Sequence, residues 1–305
     1  MVISVIGATH QKCPREVLEK LLGVILSSHP EHQVRIDEHF AKMLRTAGIE
    51  VPAECIDDVV RFPRTDLLLC IGGDGTFLRA AGLVAGTDSV ILGVNTGRLG
   101  FLANMLPDEV SAEWEHILRG ESETEIRDLI VVKSEGVRSL ERSALNEIAV
   151  LKRDTASMIG VETYVNGDFL ATYEGDGVIV STPTGSTAYA LSVNGPIIYP
   201  QCPTLSICPI APHMLNMRPI VVPNDVVINM RITSRNDTFL LSTDGGSVPL
   251  HSRSEITIRR SAKQLRMLKH PTHSFFHTLR HKLLWGQDMR NGGIVTAYAT
   301  ESNSL

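Results

Sequence analysis

Asp66-Leu-Leu-Leu-Cys-Ile-Gly-Gly-Asp-Gly-Thr-Phe-Leu-Arg-Ala-Ala-Gly82 is the stretch on which the fold turns. Its first part is apolar without alternation, the pattern of a strand buried on both faces. Two glycines stop the run, and residues 76–85 resume with helical spacing. A strand, a tight turn and a helix in that order predict a parallel sheet. The turn falls at the carboxyl edge, where open sheets of this kind bind ligands.

The flanking sequence repeats the same grammar. Val2–Ile6 and Val90–Val94 read as further buried strands, and Arg15–Leu26 carries Val17, Leu18, Leu21, Leu22 and Ile25 at helical spacing. Phe40, Met43 and Leu44 mark a second helix ending near Gly48, and residues 108–125 read as an acidic helical stretch. Strands then dominate, at residues 127–133, 144–152, 158–165, 177–182, 226–232, 239–243 and 255–260, with turn signals at Asn166-Gly167, Asn236-Asp237 and Asp244-Gly245. The expected fold is an α/β N-terminal domain with a mostly parallel sheet (residues 1–125) plus an all-β, sandwich-like C-terminal domain (residues 126–269). A helix within residues 270–290, with Phe276, Leu279 and Leu283 on one face, is expected to dock back onto the first domain or a neighbouring subunit. Residues 291–305 read as a flexible tail.

Composition narrows the classes of function. A formal charge of −5 provides no basic field for nucleic acid or anionic lipid, and 43% hydrophobic with 21% charged residues is a globular mixture. No apolar run approaches the roughly 20 residues that span a bilayer, and the N-terminus lacks the basic start of a secretory signal. Cys13, Cys55, Cys70, Cys202 and Cys208 are odd in number and widely spaced, as reduced thiols of a cytoplasmic protein would be.

The turn at 72–75 combines three glycines with one carboxylate. Glycines let the backbone approach a phosphate, and the helix start offers N–H groups and a positive dipole end, so Gly72, Gly73, Thr76 and the later Arg79 are candidate phosphate contacts, with Arg98 beside them. Asp74 is placed to take a proton from a hydroxyl attacking phosphorus, or to help hold Mg²⁺. A plain Asp-Gly turn chosen for geometry is the alternative. The pattern matches neither G-x-G-x-x-G nor the P-loop.

Two later segments carry polar groups in strand contexts. Asn146-Glu147 interrupts an apolar strand, either as a solvated corner or as an amide and a carboxylate for a base edge or ribose. Between Asp176 and Ser192, the hydroxyls of Ser181, Thr182, Thr184, Ser186 and Thr187 crowd around Pro183 and Gly185. Hydroxyls before a helix start suit ribose and phosphate oxygens, and Tyr189 offers a ring for stacking, although Ser/Thr runs are also ordinary loops.

In order along the chain, Gly-Gly-Asp-Gly-Thr at 72–76, Asn-Thr-Gly-Arg-Leu-Gly-Phe-Leu at 95–102, Leu-Asn-Glu at 145–147, the block at 176–189 and Pro-His-Met-Leu-Asn-Met-Arg-Pro at 212–219 resemble the NAD kinase family. The resemblance spans about residues 66 to 285. It implies transfer of the γ-phosphoryl group of ATP, with a divalent cation such as Mg²⁺, to the adenosine 2′-hydroxyl of NAD. It implies Asp74 as proton acceptor and Gly75 beside it in the NAD site. Asn146 and Glu147 would bind nucleotide hydroxyls or base, and Asp176 would meet the nicotinamide end. Thr187, Ala188, Tyr189, Ala190, Leu191 and Ser192 would line the pocket. Ser157, Glu174 and Gly246 fall at site positions where better-known members carry His, Arg and Gln, which leaves NAD or NADH, and ATP or polyphosphate, open. A homodimer or homotetramer is also implied.

The remaining clusters have blander readings. His273, His277 and His281 recur at helical spacing after His270 without a nearby Cys or carboxylate pair, so a solvated helix face or subunit contact is expected and no metal site is assigned. A lipid or sugar kinase built on a similar glycine turn is the nearest rival, and a non-catalytic dinucleotide sensor is the rival of another class.

Overall fold

The computed structural model describes residues 1–9, 13–29, 31–61, 64–97, 99–137, 139–154 and 157–285. The apolar runs of the first half form parallel strands. β1 (Val2–Gly7) lies between β2 (Gln33–Asp37) and β4 (Leu67–Ile71), with β5 (Val90–Val94) beyond β4 and the two-residue β3 (Ile56–Asp57) beyond β2. Ile3, Val5, Leu69 and Ile71 face one core, shared with α1 (Arg15–Leu26), α2 (Glu38–Thr46) and, downstream, α4 (Pro107–Leu118). Ile6, Leu68 and Cys70 face the opposite core, filled by Phe77, Ala80, Ala81 and Val84 of α3 (Asp74–Val84). Burial on both faces is the physical reason that β4 shows no polar alternation.

The helix expected over residues 108–125 is shorter, ending at Leu118. Gly120 follows with φ +68°, a left-handed stop after which the chain extends as β6 (Thr124–Glu135). The strand expected over 144–152 is two strands, β7 (Leu140–Ala144) and β8 (Glu147–Lys152), with a corner at Leu145-Asn146 between them.

The remaining elements are β9 (Ile159–Val165), β10 (Asp168–Gly175), β11 (Gly177–Ser181), the single turn α5 (Tyr189–Ser192), β12 (Thr204–Ile210), β13 (Ile220–Pro223), β14 (Val227–Ser234), β15 (Thr238–Thr243), β16 (Gly246–His251), β17 (Glu255–Leu268) and α6 (Phe275–Leu283). One antiparallel sheet runs β13-β12-β11-β8-β15-β16. It packs face to face on β6, β9, β14 and β17, with Val178, Val180, Ile148, Val150 and Phe239 against Ile130, Val132, Ile228, Ile256 and Ile258. The sandwich expectation therefore meets an α/β first half and an antiparallel second half. Long β17 links them: its first residues pair antiparallel with β14 and β6, and Arg266 and Met267 pair parallel with β5.

Ser274 caps α6 by accepting from the His277 N–H, and Phe275 meets Phe101 at 6.0 Å and Tyr199 at 5.6 Å between ring centroids. The helix thus touches both halves of the chain. The tail expected at 291–305 lies outside the described residues. No helix among the described residues is long and apolar enough to cross a membrane.

Candidate active site

α3 begins at Asp74, two residues before the expected Thr76, and the Gly73 carbonyl accepts from the N–H groups of Thr76 and Phe77. The Asp74 side chain turns toward the loop after β5. Its Oδ1 accepts from the N–H groups of Leu102 (3.1 Å) and Ala103 (3.0 Å), and its Oδ2 from Phe101 N–H (3.0 Å) and Lys282 Nζ (3.2 Å). Asn95 holds that loop from within, donating to the Ala103 carbonyl and accepting from Gly97 N–H. At Gly100 a Cβ would overlap Oδ1 of Asp74, so the loop closes on the carboxylate only because that residue has no side chain. Arg98, in the same loop, lies outside the described residues. Four N–H donors fix the orientation of this carboxylate at a helix start, and a metal ion would compete with all four for its lone pairs.

A second aspartate builds a matching corner. Asp244, at φ +46° between β15 and β16, accepts from the N–H groups of Leu145 (2.7 Å), Asn146 (2.9 Å) and Glu147 (3.2 Å). From the other side Thr182 donates its N–H to the Asn146 carbonyl at 2.9 Å and its hydroxyl to the Leu145 carbonyl at 2.6 Å. Asn146 and Glu147 are buried at this corner rather than solvated, and Asn146 Oδ1 and Glu147 Oε2 have no protein donor. Burial, and then the charge of Asp244, pushes the Glu147 carboxyl up to about 7, while the Tyr189 N–H opposes the shift. Burial also raises Asp244, against the three amides that favour its charge. In sequence Asp244-Gly245 is no more than a turn signal; the anchor arises from amides 97 to 99 residues away and has no local pattern.

In the block after β11, the expected polar surface turns inward. Ser181 donates to the Thr182 carbonyl (2.9 Å), and Ser186 donates to the Pro183 carbonyl (2.6 Å) and accepts from Ile198 N–H (3.0 Å). With Thr182, these hydroxyls build the turn instead of facing a ligand. A Cβ at Gly185 would overlap the Asn146 carbonyl, which is how the turn sits tightly on the corner. Thr187 and Ala188 are half-buried, Tyr189 and Ser192 exposed, Leu191 half-buried and Ala190 buried.

Gly75, next to Asp74, shares one cavity with Leu145 and Asp244 of the second corner. A cavity of about 770 Å³ is lined by Gly75 and Arg79 of α3, Leu145, Asp244 and Gly246, with Arg142 and Lys263 adding positive charge. Gly72 and Gly73 lie at the mouth of α3, and Thr76 is buried in its first turn. Asp176, Glu174 and Ser157 are not brought to this space. Asp176 precedes β11, roughly 17 Å of extended chain from Ser181, and its Oδ1 pairs with Lys152 Nζ at 2.6 Å. Glu174 is exposed on β10, and the register of Gly175 opposite Ile159 sets Ser157 near the same end.

The histidines form a stack that is half-buried at His273 and His277 and exposed at His281. Ring centroids of His270, His273, His277 and His281 follow at 3.8, 4.0 and 4.2 Å, and His270 is buried. His270 Nδ1 accepts from the N–H groups of Thr272 and His273, which leaves the proton on Nε2, 3.2 Å from Glu109 Oε2. Glu109, His270 and His273 bring ligand atoms within 4.8 Å of one another. The His270 and His273 rings lie only 13° from parallel, however, so their in-plane lone pairs share no point at bonding distance.

Two family models match the chain: the ATP-NAD kinase N-terminal domain over residues 11–122 and the ATP-NAD kinase C-terminal domain over residues 145–270. An NAD kinase of Bacteroides fragilis is 41% identical over 293 residues, covering 95% of this chain and all of the relative. One from Porphyromonas gingivalis is 48% identical over 225 residues, covering 74% and 78% of the two chains. Among solved structures, yeast NADH kinase complexed with NADH has a TM-score of 0.83 at 24% identity, over 95% of this chain and 89% of that one, which shows the fold. An NAD kinase from Archaeoglobus fulgidus in complex with ATP has a TM-score of 0.68 at 27% identity, over 94% and 98%.

Proposed function

This chain belongs to the ATP-NAD kinase family, and we propose that it transfers the γ-phosphoryl group of ATP to the 2′-hydroxyl of the adenosine ribose of NAD, with Asp74 as the proton acceptor. The observation that carries the reading is the Asp74 carboxylate, oriented by three backbone amides in a glycine turn whose Gly75 lines a cavity with Arg79, Arg142 and Lys263. In the step, the ribose oxygen bonds to the γ-phosphorus, the bond to the β–γ bridging oxygen breaks, and ADP leaves. The hydroxyl proton passes to Asp74. Gly72, Gly73, Thr76 and Arg79, with Arg142 and Lys263, take the phosphates. The divalent cation enters with ATP as its phosphate complex.

Asn146 Oδ1 and Glu147 Oε2 are buried acceptors awaiting donors, which suits ribose hydroxyls or an adenine amino group. Gly75, Thr187, Ala188, Tyr189, Ala190, Leu191, Ser192 and Gly246 line the NAD site around them. Asp176, Glu174 and Ser157 lie apart from that group within one chain; Asp176 meets the nicotinamide end, and Glu174 and Ser157 complete the NAD site. We read the enzyme as cytoplasmic and as a homodimer or homotetramer.

Purified protein given Mg-ATP and NAD should form NADP, with NADH and polyphosphate as alternative substrates. Asp74→Asn should bind NAD with unchanged affinity and lose roughly 10²–10⁴-fold in kcat. Absence of NADP with every pair would remove the reading, and full turnover by the variant would remove Asp74 from it.

A further inference from the structure

A carboxylate offers about four lone-pair sites, and those of Asp74 are filled by the amides of Phe101, Leu102 and Ala103 and by the ammonium of Lys282. A hydroxyl that gives its proton to Asp74 must come within roughly 2.6–3.2 Å of one of its oxygens. One donor therefore has to leave. The three amides belong to a loop closed on the carboxylate through Gly100 and braced by Asn95, and cannot withdraw singly. Lys282 can: its side chain is 35% exposed, ends a four-carbon stem and makes only a 3.2 Å contact. Its Nζ also lies over the Phe101 ring, 5.4 Å from the centroid, which keeps the charge aimed at this spot when the carboxylate contact is given up.

We propose that Lys282 holds the acceptor hydroxyl's place on Asp74 in the ligand-free protein, and that once displaced its ammonium neutralises the phosphoryl group arriving on that hydroxyl. The two roles are compatible in space, because the phosphorus under attack is bonded to, or in line with, the oxygen that replaces Nζ. α6 thereby becomes part of the active site. It is anchored for this by Phe275, which packs on Phe101, and by the Ser274 cap. The proposal rests on the reaction assigned above and adds a residue that no motif in the sequence marked.

Lys282→Met and Lys282→Arg test it, through NAD affinity measured calorimetrically without ATP, kcat in the full assay, and thermal melting. With its competitor gone, the Met variant should bind NAD as tightly as the parent or several-fold tighter. Its kcat should fall roughly 100-fold, the scale seen when one donor to a developing oxyanion is removed. The Arg variant should recover to within roughly 10-fold of the parent, since it restores the charge. Unchanged kcat in the Met variant would overturn the proposal. So would NAD affinity and melting temperature falling together with kcat and not returning with Arg, which would make Lys282 a fastener of α6. If the parent chain itself forms no NADP, the assigned reaction fails, and weaker NAD binding by the Met variant would then overturn the displacement on its own.

Discussion

Oδ1 of Asp244 lies 2.9 Å from the backbone nitrogen of Asn146, and the same carboxylate takes the N–H groups on either side of it. Asp74 treats residues 101–103 alike. Each aspartate gathers three consecutive amides of a sharp corner, so that the corner keeps its shape without regular structure.

For Asp244 this gives a direct expectation. Truncation in Asp244→Ala leaves three largely buried N–H groups without acceptors, at about 1–3 kcal/mol each before relaxation. The melting temperature should drop by several degrees, and NAD affinity should fall because Asn146 and Glu147 lose their orientation. A calorimetric melt and an NAD titration unchanged from the parent would show that the corner stands without Asp244.

Glu147 should make stability depend on pH in an unusual direction. Its folded-state value, about 7, lies above its ordinary 4.5, so the folded protein holds this proton more tightly than the unfolded chain. The contribution is fully present below about pH 4.5, is lost as pH rises toward 7, and stays lost above it. At about 1.4 kcal/mol per pKa unit, the whole change is on the order of 3 kcal/mol. Glu147→Gln should therefore gain stability over the parent progressively between pH 4.5 and 7. Parallel denaturation curves across that range would show that Glu147 does not titrate there.

Much of the architecture was legible because burial writes itself into sequence. β4 and β5 are apolar on both faces, and their cores read directly. The strand at 33–37 was not legible: Gln33-Val-Arg-Ile-Asp alternates with charge, and Arg35 is buried with Asp57 Oδ2 (2.7 Å) and the Arg64 carbonyl (2.6 Å) receiving its guanidinium. The site divided in the same way. Asp74 stood out by its glycines, whereas Asp244 and Lys282 act through partners 98 and 208 residues away and carry no local pattern. The hydroxyl cluster at 181–187 was visible but its direction was not, since composition cannot say that Ser181, Thr182 and Ser186 face their own backbone.

Gly100 offers the test of how closely the base must be held. Its absent Cβ is the space that Oδ1 of Asp74 occupies. Gly100→Ala must push the 101–103 loop off the carboxylate or turn the carboxylate away, and displacements near 1 Å at a reacting group cost on the order of 100-fold. The far-UV spectrum should be unchanged, since the loop lies outside the sheets, while kcat falls to that degree. A variant with normal kcat would mean that Asp74 tolerates a looser seat.

The histidine stack predicts a second pH effect, opposite in sign to that of Glu147. Burial, followed by the charge of the neighbouring imidazoles, lowers the His273 and His277 values from their ordinary 6.5. Glu109 opposes the shift at His273, and Arg280 adds to it at His277. The unfolded chain then binds these protons more readily, so the stability they contribute is present above about pH 6.5 and lost as pH falls through the depressed folded values. The loss should concentrate in α6, because stacked rings about 4 Å apart repel once charged. Amide exchange should accelerate in residues 275–283 below pH 6.5 while β4 and β5 stay protected. Replacing both residues, as in His273→Gln with His277→Gln, should remove that dependence. If α6 exchanges at one rate from pH 7.5 to 5.5 in the parent chain, protonation of the stack does not loosen the helix that carries Lys282 to Asp74.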